Sequence, residues 1–312
     1  MSVFTKVSHA ELVEFLRQFP VGELVGFQGI GEGVENTNYF VDTSDARWVL
    51  TLFERLNHAD LPFFLGLMEH LAQCGFPGAA PLRTRAGRNL VTLNGKPASL
   101  VQRLTGQWEL FPSAEQCAQV GSVLGQLHLH GQSYAGRCEN SRGAAWRRQT
   151  AQALLPKVDA DTRAFIESEQ QAQAPLLLEA LPQGIIHADL FKDNVLFVGK
   201  RLSGVIDFYY ACNDALLYDL AVTVNDWCFE TSGEFNLARF TALVSAYRGE
   251  RDLNSAERAA WPLTLRAAAF RFYLSRLYDW VFPRSGDVVH VKDPAAYLRI
   301  LEHHRRDSLP LP

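Results

Sequence analysis

Short runs in which β-branched and aromatic residues mix with polar ones fill the first hundred positions. Leu24–Ile30, Tyr39–Asp42 and Arg47–Phe53 have this character and are separated by Gly and Asp, which predicts three strands. From Asp60 to about Gln73 the spacing changes to that of a helix. Leu61, Phe64, Leu65, Met68, Leu71 and Ala72 share one face, and Gly75 follows as a stop. Strand pattern returns at Asn89–Leu93 and Pro97–Leu104, on either side of an Asn94-Gly95 pair suited to a tight hairpin turn.

Beyond Thr105-Gly106 helical spacing takes over. Ser113 followed by Gln116 reads as a capping box opening a helix through Val120, Leu124, Leu127 and His128. Helical pattern recurs from about Ala160 to Leu181. Residues 185–208 read as strand, loop and hairpin, with Gly199-Lys200 turning the chain between Val195–Val198 and Leu202–Ile206. From Leu216 to His304 the pattern is helical almost throughout, with Pro262 marking a helix start and Pro283 a helix end. The expected fold class is α+β and bilobal. Residues 1–103 form an antiparallel-sheet lobe with one helix, and residues 104–312 form a mostly helical lobe. A ligand cleft between lobes is the default expectation for such a chain.

The 312 residues are enough for two lobes with real cores, and 47% hydrophobic with 21% charged residues is ordinary for a globular protein. A net charge of −4 gives no electrostatic case for nucleic acid as a partner. Five scattered cysteines without a C-x-x-C fit reduced thiols in a cytoplasmic protein better than disulfides or a zinc site. The first residues lack an export-signal pattern, and no run approaches the eighteen or so apolar residues of a membrane span.

The candidate chemistry lies in His187-Ala-Asp189-Leu-Phe-Lys-Asp-Asn194 and in Val205-Ile-Asp207-Phe208. One Asp that can orient a hydroxyl and take its proton, with an Asn and a second Asp that can hold magnesium against phosphates, is what phosphoryl transfer from ATP requires. A polar turn between two core strands would give no reason for oxygen-bearing side chains at all three places. For a late proton transfer a carboxylate of near-normal pKa suffices at Asp189. Asp193 is as readily a solvent-facing residue, and His187 reads as a brace for the loop rather than a reactant. Between the first two strands, Gly29 to Asn38 offers Gly31, Gly33, Asn36 and Asn38 for close approach to phosphates, although strand turns collect the same residues. No Walker A sequence occurs.

These residues, with Leu124-Gly-Gln-Leu-His128, resemble the aminoglycoside phosphotransferase and choline kinase group, whose fold is similar to that of protein kinases. Within it the chain looks like the bacterial homoserine kinases of the kinase-fold type. That likeness is carried by Gly33-Val-Glu-Asn36-Thr-Asn-Tyr39, Leu50-Thr-Leu-Phe-Glu54, Leu61-Pro-Phe-Phe-Leu-Gly-Leu-Met68, Ile186-His-Ala-Asp-Leu-Phe191, Ile206-Asp-Phe-Tyr209, Ala211-Cys-Asn-Asp214 and Arg276-Leu-Tyr-Asp-Trp280. The resemblance implies phosphorylation of the L-homoserine side-chain hydroxyl with ATP and Mg2+, a step toward threonine. It gives Asp189 the base role, Asn194 and Asp207 the metal roles, and Leu100 to Leu104 the role of a hinge, with Gln102 and Leu104 beside adenine. The pattern departs at one place. Where such enzymes usually carry a strand lysine paired with a helix Glu, this chain has Thr51, with Glu69 as the available acid and Arg55 as the nearest cation.

An amino-acid acceptor asks for about one cationic and one acidic group. Asp226 and Arg276 are candidates, with Tyr209 as a wall beside Asp207; an ordinary helix-surface pair of Arg276 with Asp279 and core packing of Tyr209 compete with those roles. A polycationic aminoglycoside would favour an acidic acceptor side, choline an aromatic cage, and a nucleotide-binding regulator without turnover would explain the absent lysine. The expected partner is a small-molecule amino acid, and oligomeric state is not legible.

Overall fold

The computed structural model describes residues 4–31, 36–283, 292–307 and 309–312. The chain divides into two compact units, one running to Thr105 and the other beginning at Gly106.

The N-terminal unit starts with a helix, α1 (His9–Leu16), which the sequence reading missed. It is opened by a capping box, with Ser8 and Glu11 satisfying each other's backbone N–H groups. Five strands follow: β1 (Leu24–Gly29), β2 (Thr37–Thr43), β3 (Arg47–Leu52), β4 (Val91–Leu93) and β5 (Lys96–Gln102). They form one antiparallel sheet in the order β1-β2-β3-β5-β4. Strict alternation along β2 buries Thr37, Tyr39, Val41 and Thr43. Tyr39 and Val41 join Leu50, Leu52, Ala98 and Leu100 of the neighbouring strands, and Leu12, Phe15 and Leu16 of α1 cover this face. Between β3 and β4 runs α2 (Leu61–Gln73), with Pro62 in its first turn and Gly75 at φ +78° just past its end. The β4–β5 turn is Asn94-Gly95, both at positive φ, as a two-residue hairpin of this type demands.

The C-terminal unit is mostly helical. Its elements are α3 (Ala114–Gly131), α4 (Ala144–Leu154), α5 (Ala160–Gln173), β6 (Gln183–Ile186), β7 (Val195–Val198), β8 (Arg201–Val205), β9 (Cys212–Ala215), α6 (Leu216–Trp227), α7 (Leu237–Glu250), α8 (Ser255–Val281) and α9 (Ala295–Arg306). β7 and β8 make the expected hairpin around Gly199 at φ +58°, while β6 pairs with β9. The expected helix from Ala160 to Leu181 stops at Gln173 and is followed by a separate single turn at Leu178–Ala180. Pro262 does not start a helix but lies inside α8, which begins at the Asn254–Glu257 capping box. An interior proline costs roughly 3 kcal/mol. Its neighbours Trp261 and Leu265 are each 1% exposed, and burying two such side chains contributes about 3–6 kcal/mol, enough to carry the helix through.

Candidate active site

β6 delivers the chain to His187-Ala188-Asp189, and the turn Lys192–Asn194 leads on to the β7–β8 hairpin and Asp207. Two residues in this circuit take left-handed backbone angles without being glycine, Ala188 at φ +63° and Asp207 at φ +64°. Such angles in non-glycine residues persist only when the surroundings fix them. At Ala188 the fixing group is visible. The carboxylate of Asp219, fully buried at the start of α6, accepts from the backbone N–H of His187 at 2.7 Å and of Ala188 at 2.8 Å. Two turns further along α6, Asp226 accepts from Lys192 N at 2.8 Å, and the Trp227 indole N–H donates to the Leu190 carbonyl at 2.9 Å. One helix therefore pins the loop before, beside and after Asp189.

The clamp is itself held. His128 Nε2 lies 3.1 Å from Asp219, and His128 Nδ1 lies 2.8 Å from the Tyr247 hydroxyl, which accepts from Arg251 at 3.0 Å. Arg251 in turn pairs with Glu257 at 2.5 Å. Burial lowers the His128 pKa and keeps the ring neutral, so Nε2–H donates to Asp219 and Nδ1 accepts from Tyr247.

Asp189, Asn194 and Asp207 come together. The Asn194 side-chain amide donates to the Asp189 carbonyl at 2.8 Å and reaches an Asp189 carboxylate oxygen at 3.5 Å. Ile206 N donates to the Asn194 carbonyl at 3.0 Å, and His187 Nε2 bonds the Ile206 carbonyl at 3.1 Å, so Asp207 is delivered from the same frame. The Asp189 pKa is pushed up to about 7, mainly by burial, with Asp207 and Asp193 adding to the rise and Arg271 opposing it. This differs from the near-normal value the sequence reading considered sufficient. The loop, closed in by α6 and α8, leaves the Asp189 side chain only 19% exposed. Arg271, which sequence reasoning passed over, lies 4.0 Å from Asp189 with its guanidinium 3.8 Å above the Phe272 ring. Among the described residues no cluster of three His, Cys, Asp or Glu is arranged for a metal. The donor chemistry here is one exposed carboxylate, Asp207, and one amide whose nitrogen end is already committed to Asp189, which leaves its oxygen end available to a cation. Magnesium is usually held by just such sparse hard oxygens together with phosphates, so the residues fit it.

In the N-terminal unit Thr51 is 3% exposed, and its hydroxyl donates to the Asn38 side-chain oxygen at 2.8 Å. Ser99, its partner across β5, is fully buried with a hydroxyl lacking any partner among the described residues. A neutral polar row thus occupies the strand position where a lysine was sought. Glu69 is bound to Arg83 at 2.6 Å rather than to a strand cation, and Arg55 is exposed. Gly31 is exposed and Asn36 partly so, whereas Gly33 lies outside the described residues. Of the hinge amides, Gln102 N–H is committed to the Ala80 carbonyl and Arg103 N–H to the Arg47 carbonyl.

Asp226 and Arg276 both line one cavity of about 270 Å³ in the C-terminal unit, together with Phe191, Lys192 and Tyr297. Tyr209 is on the turn after Asp207 and is not part of that lining. Arg271 and Asp219 were legible in one respect, since each is a lone charge inside an apolar helical run, Phe270-Arg271-Phe272 and Tyr218-Asp219-Leu220.

This frame of strand-delivered carboxylates and a pinned loop defines a class. Residues 26–253 match the phosphotransferase enzyme family, and the chain belongs to it. It is 47% identical to the homoserine kinase of Methylobacillus flagellatus over 303 residues, covering 97% of this chain and 95% of that one. The homoserine kinase of Rhodopseudomonas palustris is 45% identical, over 96% of this chain and 94% of its own. Among solved structures an amicoumacin kinase, bound to AMP-PNP and Ca2+, superposes with a TM-score of 0.72, covering 96% of this chain and 94% of its own at 14% identity. The last likeness is one of fold.

Proposed function

We propose that this protein transfers the terminal phosphoryl group of ATP to the side-chain hydroxyl of L-homoserine, giving O-phospho-L-homoserine and ADP, a step toward threonine in the cytoplasm. The observation that carries the reading is near-full-length similarity to homoserine kinases combined with an Asp189–Asn194–Asp207 frame suited to phosphoryl transfer.

In this reading Asp189 holds the acceptor hydroxyl in line with the terminal phosphorus and takes its proton as the new O–P bond forms and the bond to the ADP oxygen breaks. Asn194 and Asp207 would hold Mg2+, whose chemistry when bound is to offset the negative charge of the phosphates. The pinned loop supplies the geometry: a base fixed through three anchor points on α6 loses little freedom when substrate binds. Gly31, Gly33, Asn36 and Asn38 are proposed phosphate neighbours, with residues 1–103 as the nucleotide-binding lobe and 104–312 as the catalytic lobe. Because the Gln102 and Arg103 amides are used internally, the adenine donor of the hinge falls to Leu104 N–H, with Gln102 contributing its carbonyl.

The test is ATP consumption with homoserine, serine, choline and an aminoglycoside as acceptors, with Asp189→Ala as control. Turnover is expected with homoserine, and loss of the base is expected to cost on the order of 10²–10⁴ in rate. Equal turnover with choline or the aminoglycoside overturns the acceptor assignment, and an active Asp189→Ala overturns the base.

A further inference from the structure

The cavity beside the catalytic loop holds charges that the transfer chemistry does not use. Several of its lining charges are already answered within the protein. Asp193 pairs with Lys292 at 3.4 Å, Glu230 pairs with Arg239 at 3.1 Å, and the Lys192 ammonium donates to the Phe229 carbonyl at 3.2 Å. Two are not. Asp226 gives one oxygen to Lys192 N–H, and its other oxygen has no partner among the described residues. Arg276 reaches the Asp293 carbonyl at 3.3 Å and lies 4.5 Å over the Tyr297 ring, meeting no carboxylate among the described residues. Under Arg276 lies Tyr297, 2% exposed, whose hydroxyl has no hydrogen-bond partner among the described residues. A buried phenol left unpaired costs about 1–3 kcal/mol unless something outside the protein supplies its partner.

With Lys192 set beside Asp226, the lining still presents the Arg276 guanidinium, the second Asp226 oxygen and the Tyr297 hydroxyl, in a cavity whose wall includes Phe191, two residues after Asp189. A purely anionic or purely cationic ligand would leave one of the two charges unanswered. We propose that this cavity recognises the amino-acid head of the acceptor: Arg276 and the Tyr297 hydroxyl take the α-carboxylate, Asp226 takes the α-ammonium, and the hydroxyl arm extends along Phe191 to Asp189. The proposal rests on the homoserine reading above and adds the residues that make the site select a zwitterion. The Tyr297 ring is held for this by Phe272, at 5.1 Å and 27° between planes, so its hydroxyl position is set by packing.

The experiment uses the full chain with ATP and Mg2+ and compares L-homoserine with two acceptors that each lack one charge. 3-Aminopropan-1-ol has no carboxylate, and 4-hydroxybutyrate has no ammonium. Each analogue is expected to lose at least about 10²-fold in kcat/KM in the unaltered protein, because it leaves a buried polar group unpaired. Arg276→Ala is expected to lower kcat/KM for homoserine by roughly 30-fold, through KM, while changing aminopropanol by less than about threefold. Asp226→Asn, which still accepts from Lys192 N–H, is expected to do the same for homoserine while sparing hydroxybutyrate. Tyr297→Phe keeps the ring stack and is expected to raise the homoserine KM about 3- to 10-fold with the ATP KM unchanged. Ratios between acceptors do not depend on how much of a variant folds. If the unaltered protein uses homoserine and these ratios stay fixed in the variants, the cavity is not the recognition site. If it does not use homoserine at all, the functional reading falls first and takes this one with it.

Discussion

Arg271 and Asp189 face each other at 4.0 Å, with the arginine side chain 6% exposed and the aspartate 19% exposed. Asp207 and Asp193 both act to discourage charge on Asp189, and Arg271 is the leading group that favours it. A compact guanidinium stacked on Phe272 is a rigid way of holding a carboxylate charged in a poorly hydrated place. Arg271→Ala is therefore expected to lower kcat on the order of 10²-fold, with both KM values within a few-fold and with Arg271→Lys recovering part of the loss. Steady-state kinetics decide it, and a kcat within twofold of the parent would remove Arg271 from any part in the reaction.

Asp219 accepts three N–H bonds, from the His187 and Ala188 backbones and from His128. Asparagine has the same shape but brings two donors of its own into a fully buried place already crowded with donors. Hydrogen bonds to a charged group contribute about 1.5–3 kcal/mol each. With one or more of the three lost, Asp219→Asn is expected to lower stability by about 3 kcal/mol in urea denaturation. Activity is expected to fall further than the folded fraction does, because Ala188 is then free to leave its left-handed angle. Parent-like stability and rate would mean that the loop is held elsewhere.

What the sequence disclosed followed from how local each signal was. The three-strand, helix, two-strand order of the N-terminal unit was legible because β alternation and the Asn94-Gly95 turn are carried by neighbouring residues. The helix α1 was missed although Ser8 and Glu11 announce it, because eight residues, of which only Leu12, Phe15 and Leu16 are buried, hardly register as a period. Pro262 was misread because the packing that overrides it comes from residues far away in sequence. In the proposed catalytic frame Asp189, Asn194 and Asp207 stood out by spacing. Asp219 acts through contacts over 31 and 32 positions and Arg271 through one over 82, and both leave only the trace of a charge in an apolar helix.

Gly121 offers a test of how closely α3 and α7 approach. A Cβ added there would lie 2.0 Å from the Leu243 carbonyl oxygen and 2.8 Å from its carbon, both backbone. Helix propensity alone favours alanine over glycine by about 1 kcal/mol. Forcing two packed helices apart costs about 1–3 kcal/mol or more, so the clash is expected to win. Gly121→Ala should unfold at lower urea concentration, by a net of up to about 2 kcal/mol on those two estimates. A stabilised Gly121→Ala would show that the two backbones can separate at little cost.

Acid sensitivity is expected from His304. Asn225 donates its side-chain amide to the Leu265 carbonyl at 2.9 Å, which leaves its oxygen to accept from His304 Nε2 at 2.7 Å. That fixes a neutral ring, and burial, with His303 and Arg266 nearby, pushes the His304 pKa down to about 3. In the unfolded chain the ordinary value is 6.5. Between these values the unfolded chain binds a proton that the folded protein refuses, so stability falls as pH drops from 6.5 toward 3 and is unaffected above 6.5. At 1.36 kcal/mol per unit the loss reaches about 2 kcal/mol at pH 5. His128 and His187 are also held neutral by burial and act in the same direction, so the measurement is a difference. Urea denaturation from pH 7.5 to 5 is compared between the parent and His304→Gln, which keeps a donor for Asn225 but cannot titrate. The variant should lose less stability across that window, by about 2 kcal/mol, and parallel curves would mean that His304 accepts its proton without unfolding the helix pair it joins.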